Sequence, residues 1–521
     1  MLKYIDMKRG TEKMYALTSR GMKYIDEFTI RSGISSSILM ENAARGVVNE
    51  ITAKFPRKDT RILVLVGSGN NGGDGICVSR WLMHMGYSVS IYFLGDAGRT
   101  SEEFIRQLQI LRNRNNQIKL FGTDSRADDL KALNAKYDII IDGIFGIGLN
   151  KRIGNNLAKF INYINQKEAY KISIDIPSGL NATTGRIMGA AFIADMTVSF
   201  SCYKIGMLIG EGRRVSGEVK IHDIGACNDA YTNILDKIFV CDDDFLRNNI
   251  DKALLPRDEK SHKGTFGTVG IAVGTGSMLG ASMLAAKAAY RAGTGLVKIF
   301  CPRQYTGFFN VSIPEAVVVP YVGDDIIGEF REFAGECDSL LIGPGLKEDN
   351  TGRDIVLEAL KLNNRIVFDA GALNIISRNL GAFKRRKCQA VITPHIGELA
   401  RLVSEETDLV EKNKILFTYK FSDKYKVSMV SKSDVSLVAL NKSKNIELYL
   451  NTIGNSGLAT AGSGDVLAGI IASLIAQGNS MEISLLYGVM VHGMAAKKIA
   501  PDEVSRRKMM AGDIADNIFT L

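Results

Sequence analysis

Residues 461–471 read AGSGDVLAGII, and this stretch decides the fold of the C-terminal half of the chain. Two glycines and an aspartate stand directly ahead of an apolar run, VLAGIIASLIA, which ends at Ala476. That run is well short of the roughly 20 residues needed to cross a bilayer, so it predicts a buried helix. Gly462 and Gly464 permit an unusual backbone at the helix start, where unpaired amides and the helix dipole favour an anion such as phosphate.

The aspartate of this stretch, Asp465, has two interpretations. A carboxylate beside a bound phosphate can take a proton from a substrate hydroxyl and so make that oxygen a better nucleophile. We therefore interpret Asp465 as a general base. An aspartate that only stabilises the helix dipole is the alternative, which explains Asp465 but not the two glycines and Asn455 upstream.

Away from this helix, short runs rich in Ile and Val alternate with longer helical patterns, as in parallel strands joined by crossover helices. The runs form two series. The first series comprises 61–67, 87–93, 137–142 and 170–176. The second comprises 268–274, 296–302, 339–345, 365–371 and 389–395. Between them, about 227–259, periodicity is weak and charge is clustered, so we predict an α/β domain over 1–230 and another over 238–521, with the boundary near 231–237.

Composition narrows the class of protein. A chain of 521 residues exceeds what one core usually organises. Lysine and arginine exceed aspartate and glutamate by nine (65 against 56), but they are scattered, which suits a phosphate-bearing small molecule as well as nucleic acid. Seven cysteines without a C-x-x-C pair suggest reduced thiols. The first residues, MLKYIDMKRGTEKM, contain no signal-peptide core and suggest a short extension. We expect a cytoplasmic protein with neither a membrane span nor a structural zinc site.

A glycine-rich loop, GSGNNGGDG (67–75), follows the first strand of the first series. The helical stripe after it consists of Val78, Leu82 and Met85. Glycines let the backbone approach a ligand, and amides at a helix start attract an anion such as a pyrophosphate. Asn70, Asn71 and Asp74 add polar groups that a tight turn does not need. A polar turn with Asp74 as an N-cap is the alternative.

Two further strand ends carry aspartates: Asp142 in DGIFGIGLNKRIG (142–154) and Asp175 in SIDIPSGL. Because the carboxyl ends of parallel strands line one crevice, we expect both to converge with Asn71. Oxygen atoms of Asn71, Asp142 and Ser178 could hold a hard cation. Taken alone, either aspartate could instead cap a following helix.

Five motifs of the first domain together resemble the YjeF N-terminal family, the NAD(P)H-hydrate epimerases. They are MKYIDEFTIRSGISSSILMENAARG (22–46), GSGNNGGDG, DGIFGIGL, SIDIPSGLNATTG and ADMTVSFSCYKIG (194–206). The resemblance implies a Rossmann-like epimerase acting at C6 of the hydrated nicotinamide ring, with Asp175 catalytic and K⁺ held at Asn71, Asp142 and Ser178. The hydrate-binding residues that it implies are Asn70, Asn71, Gly72, Gly73, Asp74, Gly146, Ile147, Gly148, Leu149, Asn150, Lys151, Arg152 and Asp175. Ala44 and Ile147 stand where the family has glycine and threonine.

The second domain resembles the ribokinase-like, ADP- or ATP-dependent NAD(P)H-hydrate dehydratases over roughly 240–521. The motifs that carry the resemblance are HKGTFG (262–267), GPGL (343–346), TPHIGE (393–398) and NSGLATAGSGD (455–465). Implied hydrate contacts are Ala281, Gly345, His395 and Asp465. Implied nucleotide contacts are Lys432, Ser433, Asp434, Val435, Ser436, Asn455, Ser456, Gly457, Leu458, Ala459, Thr460, Ala461, Gly462, Ser463 and Gly464. Without this resemblance, His395 would be interpreted as a histidine at a strand end whose hydrogen bonds are satisfied within the fold. Residues 369–374 read DAGALN, so Gly371 stands where the expected D-A-D-A-L-N motif has its second aspartate.

The two resemblances imply activities that act on the same metabolite. They imply a bifunctional enzyme that interconverts the R and S hydrates of NADH and NADPH and dehydrates the S form. The fusion favours ADP, accompanied by Mg²⁺, with AMP and phosphate as products. Expected partners are NADHX, NADPHX and ADP, with self-association as a homo-oligomer.

Two other functions stay open at this point. One is a ribokinase-like kinase of a vitamin precursor, such as hydroxyethylthiazole, that carries an unrelated Rossmann domain. The other is a non-enzymatic first domain that binds RNA or lipoprotein partners, against which Asp142 and Asp175 argue.

Overall fold

The computed structural model describes residues 14–114, 120–121, 133–232, 234, 237–249, 258–274, 278–322 and 325–518. Residues 1–13 of the predicted N-terminal extension, and residues 233, 235 and 236 of the predicted boundary, lie outside the described residues. The chain divides into two compact units, Met14–Ile238 and a second that begins at Phe239. Both units are α/β, as predicted.

The N-terminal unit is built on a parallel sheet. Its strands are β1 (Tyr15–Leu17), β2 (Arg61–Val66), β3 (Ser88–Phe93), β4 (Leu120–Phe121), β5 (Ile139–Gly143), β6 (Tyr170–Ile174), β7 (Met196–Phe200), β8 (Tyr203–Lys204) and β9 (Glu218–His222). Seven strands lie in the order β4-β3-β2-β5-β6-β7-β9, and β1 pairs in parallel with β8. The helices are Ser19–Arg31, Ser36–Lys54, Asn70–His84, Glu102–Arg114, Asn155–Asn165, Ile205–Leu208, Gly212–Val215 and Asn228–Thr232, with a 3₁₀ turn at Ala97–Arg99.

The order of these strands creates a crevice. The chain runs from β2 outward through β3 to β4, then returns to add β5, β6 and β7 on the other side of β2. At such a switch point the loops after the two central strands diverge and leave room for a ligand. Here those loops follow Val66 and Gly143, which are direct partners in the sheet. The predicted GSGNNGGDG and DGIFGIGL motifs therefore meet at the switch point.

The sheet has an apolar layer on each face. Ile62, Val64 and Val66 belong to one cluster, whereas Leu63 and Leu65 belong to another. This alternation places successive side chains of β2 on opposite faces. All five residues are fully buried. The predicted stripe on the following helix is confirmed at Val78 and Leu82, but Met85 lies past the helix end and is 38% exposed.

The C-terminal unit has a larger sheet. Its strands are β10 (Ile238–Cys241), β11 (Thr268–Ala272), β12 (Leu296–Pro302), β13 (Val317–Tyr321), β14 (Ser339–Ile342), β15 (Arg365–Phe368), β16 (Gln389–Ile392), β17 (Ser428–Ser431), β18 (Ser436–Asn441) and β19 (Ile446–Asn451). They lie in the order β13-β12-β11-β14-β15-β16-β17-β18-β19-β10. Pairing is parallel from β13 to β17 and antiparallel from β17 to β19.

Helices cover this second sheet. They are Asp243–Asn249, Leu279–Arg291, Thr306–Ser312, Ile326–Gly335, Asn350–Ala359, Gly371–Ser377, Leu380–Lys384, Ile396–Val403, Thr407–Lys412, Lys414–Tyr425, Ser463–Ala476, Met481–Ile499, Glu503–Lys508 and Ala511–Asp516. The 3₁₀ turns are Lys263–Phe266, Arg303–Tyr305 and Ser456–Leu458. Among the described residues, no helix has both the length and the apolar character that a membrane crossing requires.

The buried helix predicted at 466–476 is confirmed. It spans Ser463–Ala476, and every residue from Val466 onward is buried. The backbone of helix 279–291 lies against it, because a Cβ atom at Gly469 would lie 2.2 Å from the carbonyl oxygen of Ala285. The second sheet also has a switch point, between β11 and β14, where the chain leaves the sheet after Ala272 and after Ile342.

Candidate functional site

A pocket of about 650 Å³ opens in the N-terminal unit at the switch point. It is lined by two of the predicted loops and by the first two helices. The predicted residues that line it are Asn70, Asn71, Asp74, Gly146, Ile147, Gly148, Leu149, Asn150, Lys151 and Asp175. Gly72, Gly73 and Arg152 do not line it. Gly72 instead packs on its own loop, since a Cβ atom there would lie 1.9 Å from the carbonyl oxygen of Gly67.

The three residues predicted to hold a cation lie in one hydrogen-bond network behind this pocket. The Asn71 amide donates to the Phe145 carbonyl at 2.9 Å, and the Phe145 amide donates to Ser178 Oγ at 2.8 Å. The Ser178 hydroxyl donates to the Asp142 carboxylate at 2.5 Å, and the Ser178 amide donates to it at 2.7 Å. The predicted convergence of Asn71 with Asp142 is therefore found in the structure.

Asp142 is a fully buried carboxyl group. The amide of Ile144 and the hydroxyl of Ser173 also donate to it, at 3.2 and 3.1 Å. Burial nevertheless raises the pKa of Asp142 to about 6, because these neutral donors offset only part of the desolvation cost. None of these contacts caps a helix. The network contains oxygen atoms of the Asp142 carboxylate, the Ser178 hydroxyl and the Phe145 carbonyl, which are of the kind that a hard cation binds.

Asp175 has a buried cationic partner that the sequence did not single out. The fully buried Lys204 donates to Asp175 Oδ1, and also to Ser199 Oγ at 2.9 Å and to the Phe200 carbonyl at 3.0 Å. The backbone φ of Asp175 is +65°, in the left-handed region, which non-glycine residues seldom occupy. Strained backbone of this kind is concentrated at functional sites. The structure thus fixes this carboxylate at the pocket wall.

Two further aspartates line the same pocket, Asp26 and Asp74. Burial raises the pKa of Asp26 to about 6, and the negative charge of Asp175 adds to this effect. The pKa of Asp74 is raised well above its usual value, again by burial first and then by Asp175 and Asp26. Asp74 is not an N-cap, since Gly69 caps its helix. The pocket therefore brings three aspartates together, and Lys204 is bonded to one of them, Asp175.

In the C-terminal unit, the glycine-rich turn opens helix 463–476 as predicted. Gly462 is the N-cap residue with φ +89°, in the left-handed region that glycine accepts at little cost. Asp465 lies in the first turn, and its carboxylate makes no hydrogen bond to a described residue. Burial, followed by the charge of Asp369, raises the pKa of Asp465 to about 6. Asp465 is therefore free to accept a proton at neutral pH.

Lys432 lies against this helix start. A Cβ atom at Gly464 would lie 3.0 Å from Lys432 Nζ, so a larger residue here would press against the ammonium group. Lys432 Nζ donates to the buried Asp369 carboxylate at 2.7 Å. Burial acts to lower the pKa of Lys432, but the carboxylates of Asp369 and Glu398 outweigh it, and the net pKa is raised. A charged lysine thus stands beside the open amides of the helix.

His395 caps the helix that follows β16. Its Nδ1 accepts from the Gly397 amide at 3.0 Å, while its own amide donates to Glu398 Oε2 at 2.8 Å. Burial first, then Lys432, lowers the pKa of His395. Burial raises the pKa of Glu398 to about 7. The side chain of His395 is still 55% exposed, so capping leaves part of the ring accessible to a ligand.

The other two predicted hydrate contacts lie close together. Gly345 has φ +71°, and a Cβ atom there would lie 2.4 Å from the carbonyl oxygen of Met278. Ser282 Oγ donates to the Pro344 carbonyl at 2.8 Å. The GPGL loop therefore packs on the first turn of helix 279–291, which contains Ala281.

The two predicted nucleotide segments are held by a buried lysine and a half-buried asparagine. Lys414 donates to Ser433 Oγ and, at 2.8 Å, to the Val435 carbonyl. The Asn455 amide group donates to the carbonyls of Ala496 and Ala500, at 2.9 and 2.8 Å. Because both of its N–H groups are engaged, Asn455 positions its loop.

Gly371, the departure from the family motif, opens helix 371–377. A Cβ atom there would lie 2.1 Å from the Leu346 carbonyl oxygen. An aspartate at this position would therefore require the GPGL loop to move. Its neighbour Ala370 has φ +45°, a strained value for a non-glycine residue.

Sequence reasoning missed several polar residues near the two sites. They are Asp26, Lys204, Asp369, Glu398, Lys414 and His492. His492 is buried and lies 3.2 Å from Ser463 Oγ, at the start of helix 463–476. Burial lowers the pKa of His492 to about 4, so the ring is neutral at pH 7. Asp26, Lys204, Asp369 and Glu398 all stand within motifs quoted for the families, which is the signal that could have found them.

Comparison with known proteins bears directly on these sites. A family model of YjeF-related protein N-termini matches residues 36–206, and one of NAD(P)H-hydrate dehydratases matches residues 269–519. The bifunctional NAD(P)H-hydrate repair enzyme of Moorella thermoacetica is 32% identical, with 96% of each chain covered. That of Dictyoglomus turgidum is 33% identical, with 93% of each covered.

Among solved structures, the Bacillus subtilis ADP/ATP-dependent NAD(P)H-hydrate dehydratase co-crystallised with ATP and Mg²⁺ has a TM-score of 0.44 and 26% identity. The match covers 51% of this chain and 92% of that one. The two sequence resemblances are confirmed by the family models and the full-length relatives. The chain belongs to the family of bifunctional NAD(P)H-hydrate repair enzymes.

Proposed function

We propose that the chain restores hydrated NADH and NADPH in two steps. The N-terminal pocket interconverts the R and S hydrates, and the C-terminal unit dehydrates the S hydrate at the expense of ADP, with AMP and phosphate as products. One observation carries this proposal: Asp465, a carboxylate with no hydrogen bond to a described residue, stands beside Lys432 at a helix start with open amides.

In the C-terminal unit, the residues supply a base and an anion site. The Asp465 carboxylate takes the proton of the C6 hydroxyl as that oxygen attacks the terminal phosphorus of ADP. The bond between this phosphorus and the bridging oxygen breaks, and AMP leaves with the electron pair. Lys432 and the amides of Gly464 and Asp465, in the first turn of helix 463–476, balance the phosphate charge. The phosphate then leaves C6, and loss of a proton from the neighbouring ring carbon restores the double bond. The neutral His492 and the buried Lys414 hold the loops that surround the nucleotide.

Mg²⁺ bound with the nucleotide would supply positive charge beside the phosphate oxygens. The carboxylates of Asp369 and Asp465 are oxygen donors of the kind that this ion accepts. Both are buried or half-buried beside Lys432. The residues present therefore fit a phosphate-bound cation.

In the N-terminal unit, K⁺ would be held by Asn71, Asp142 and Ser178. A bound K⁺ supplies positive charge that stabilises the buried Asp142 carboxylate and the loop around Phe145. The Asp175 carboxylate accepts a proton during epimerisation at C6, and Lys204 holds that carboxylate in place. Ile147, where the family has threonine, lines the pocket with an apolar side chain.

A test of this function uses the separated S hydrate and the full chain. We expect ADP to be converted to AMP and phosphate in a one-to-one ratio with the reduced nicotinamide formed, and ATP to support a slower reaction. A stable phosphorylated product would instead favour the kinase alternative. Product formation without nucleotide would remove the role assigned to Lys432.

A further inference from the structure

Asp26 is a carboxyl group that the roles assigned so far do not use. It lies on helix Ser19–Arg31, whose residues Met22, Asp26 and Ile30 all line the N-terminal pocket. These positions are four apart, so they form one stripe on the helix. The stripe presents a single carboxyl group between two apolar side chains. The buried face of the same helix, including Ile25, packs into an apolar cluster.

The surroundings of Asp26 are unusual for a structural carboxylate. The described residues give its side chain no hydrogen bond and no ion pair. The charged groups that face it or line the same pocket are Lys23 and Glu27 on its own helix, Asp74, Glu103, Lys151, Asp175 and Lys204. Burial first, then the negative charge of Asp175, raises the pKa of Asp26 to about 6, although Lys204 opposes this. The surroundings of Asp26 therefore favour its protonated form. Transfer of this proton would break no hydrogen bond or ion pair with a described residue.

We propose that Asp26 is the second proton-transferring residue of the epimerase pocket, working with Asp175 from a different structural element. The inference rests on the assignment of this pocket to the epimerase reaction. Epimerisation at a carbon that bears both a hydroxyl and a nitrogen needs one group that gives a proton and one that takes it. Asp175, which Lys204 holds in place, is suited to accept the proton, whereas Asp26 is suited to donate it.

The step balances without any co-reactant. The Asp26 carboxyl donates its proton to the C6 hydroxyl, the C–O bond breaks, and water leaves with the electron pair. The nitrogen lone pair stabilises the cation formed at C6. Water then adds to the opposite face of the ring, and its proton passes to the Asp175 carboxylate. Solvent returns a proton to Asp26 and removes one from Asp175, so nothing is oxidised or reduced.

The experiment compares the full-length wild type with Asp26→Asn and with Glu27→Gln, an exposed neighbour paired to Arg31 at 3.3 Å. Interconversion of R and S hydrates is followed without nucleotide from about pH 5 to about pH 9, after subtraction of the spontaneous reaction. We expect kcat of Asp26→Asn to fall by about a hundredfold or more with KM little changed. The limb of kcat/KM that declines as the pH rises through about 6 should disappear. Glu27→Gln should retain both the rate and the limb.

Unchanged kcat with the limb intact in Asp26→Asn would overturn the inference, and so would a loss confined to KM or an equal loss in Glu27→Gln. Fluorescence of Trp81, the single tryptophan, reports whether the N-terminal unit is folded. If Asp26→Asn does not fold, Asp26→Glu decides: a displaced limb supports the proposal, and an unmoved limb overturns it. Absence of epimerisation in the wild type would instead refute the function proposed for the pocket.

Discussion

The Lys432 ammonium and the Asp369 carboxylate are joined by a hydrogen bond of 2.7 Å beside the first turn of helix 463–476. Asp369 is 1% exposed, so Asp369→Ala would leave a largely buried ammonium without its counter-charge. We expect the free energy of unfolding of the C-terminal unit to fall by about 3 to 5 kcal/mol. Denaturant unfolding followed by circular dichroism measures this change. The control is Asp408→Ala, which breaks an exposed pair and should cost at most about 1 kcal/mol. Equal losses in the two variants would contradict this account of the pair.

The second prediction concerns Asp465. Asp465→Asn removes the base, so S-hydrate dehydration should slow by about a hundredfold to ten-thousandfold while epimerisation continues. A base acts in its deprotonated form, and the pKa of Asp465 is raised to about 6. The wild-type kcat/KM for dehydration should therefore rise as the pH increases through about 6, and this limb should be missing in the variant. Near-normal dehydration by Asp465→Asn would exclude the base role.

Asp175→Asn should block epimerisation and leave dehydration of the S hydrate intact, the reverse of the effect expected for Asp465→Asn. With ADP present, the variant should convert the S portion of a mixed hydrate sample and then stop, because the R form can no longer be epimerised. The assay must be faster than spontaneous epimerisation. Asp138→Asn is the matched control, since Asp138 binds the Arg61 amide at the opposite end of the same sheet. Clearance of R hydrate by Asp175→Asn at the wild-type rate would move the mechanism to Asp26 or Asp74.

The fourth prediction concerns K⁺ and Asp142. The pKa of Asp142 is raised to about 6 by folding, so its contribution to stability is full at pH values below its unfolded pKa and is lost as the pH rises through about 6. A shift of two units corresponds to about 3 kcal/mol. Above pH 6, K⁺ should recover part of this loss and raise the Tm reported by Trp81 fluorescence, compared with choline at equal ionic strength. Asp142→Asn should lose both effects. A K⁺ response that persists in this variant would place the cation elsewhere.

The strand positions could be predicted from sequence because Ile and Val runs mark buried parallel strands. The predicted starts at 61, 170, 268, 296, 339, 365 and 389 agree with the structure. The predicted ends were often several residues too long, as at 339–345, where β14 ends at Ile342. The additional residues form the GPGL loop, whose glycine at 345 has positive φ. The sequence pattern continues through such strand ends although the backbone turns there.

The polar partners of the predicted residues could not be derived from a single sequence. Lys204 and Asp175 are 29 positions apart, and Asp369 and Lys432 are 63 positions apart. Such pairs form only when separate strand ends meet at one edge of a sheet. Local spacing shows which residues can do chemistry, but not which of them are brought together. The stripe that carries Asp26 is an exception, since its four-residue spacing is visible in the sequence and acquires meaning only beside the pocket.

The most direct test of the whole account is the conversion of a mixed sample of R and S hydrates by the purified chain with ADP, followed by the absorbance of reduced nicotinamide. We predict that the absorbance rises until both epimers are consumed, faster than spontaneous epimerisation allows, with one AMP and one phosphate for each molecule restored. A rise that stops when the S form is exhausted would contradict the epimerase assignment. No rise, or a product that keeps the phosphate, would contradict the dehydratase assignment.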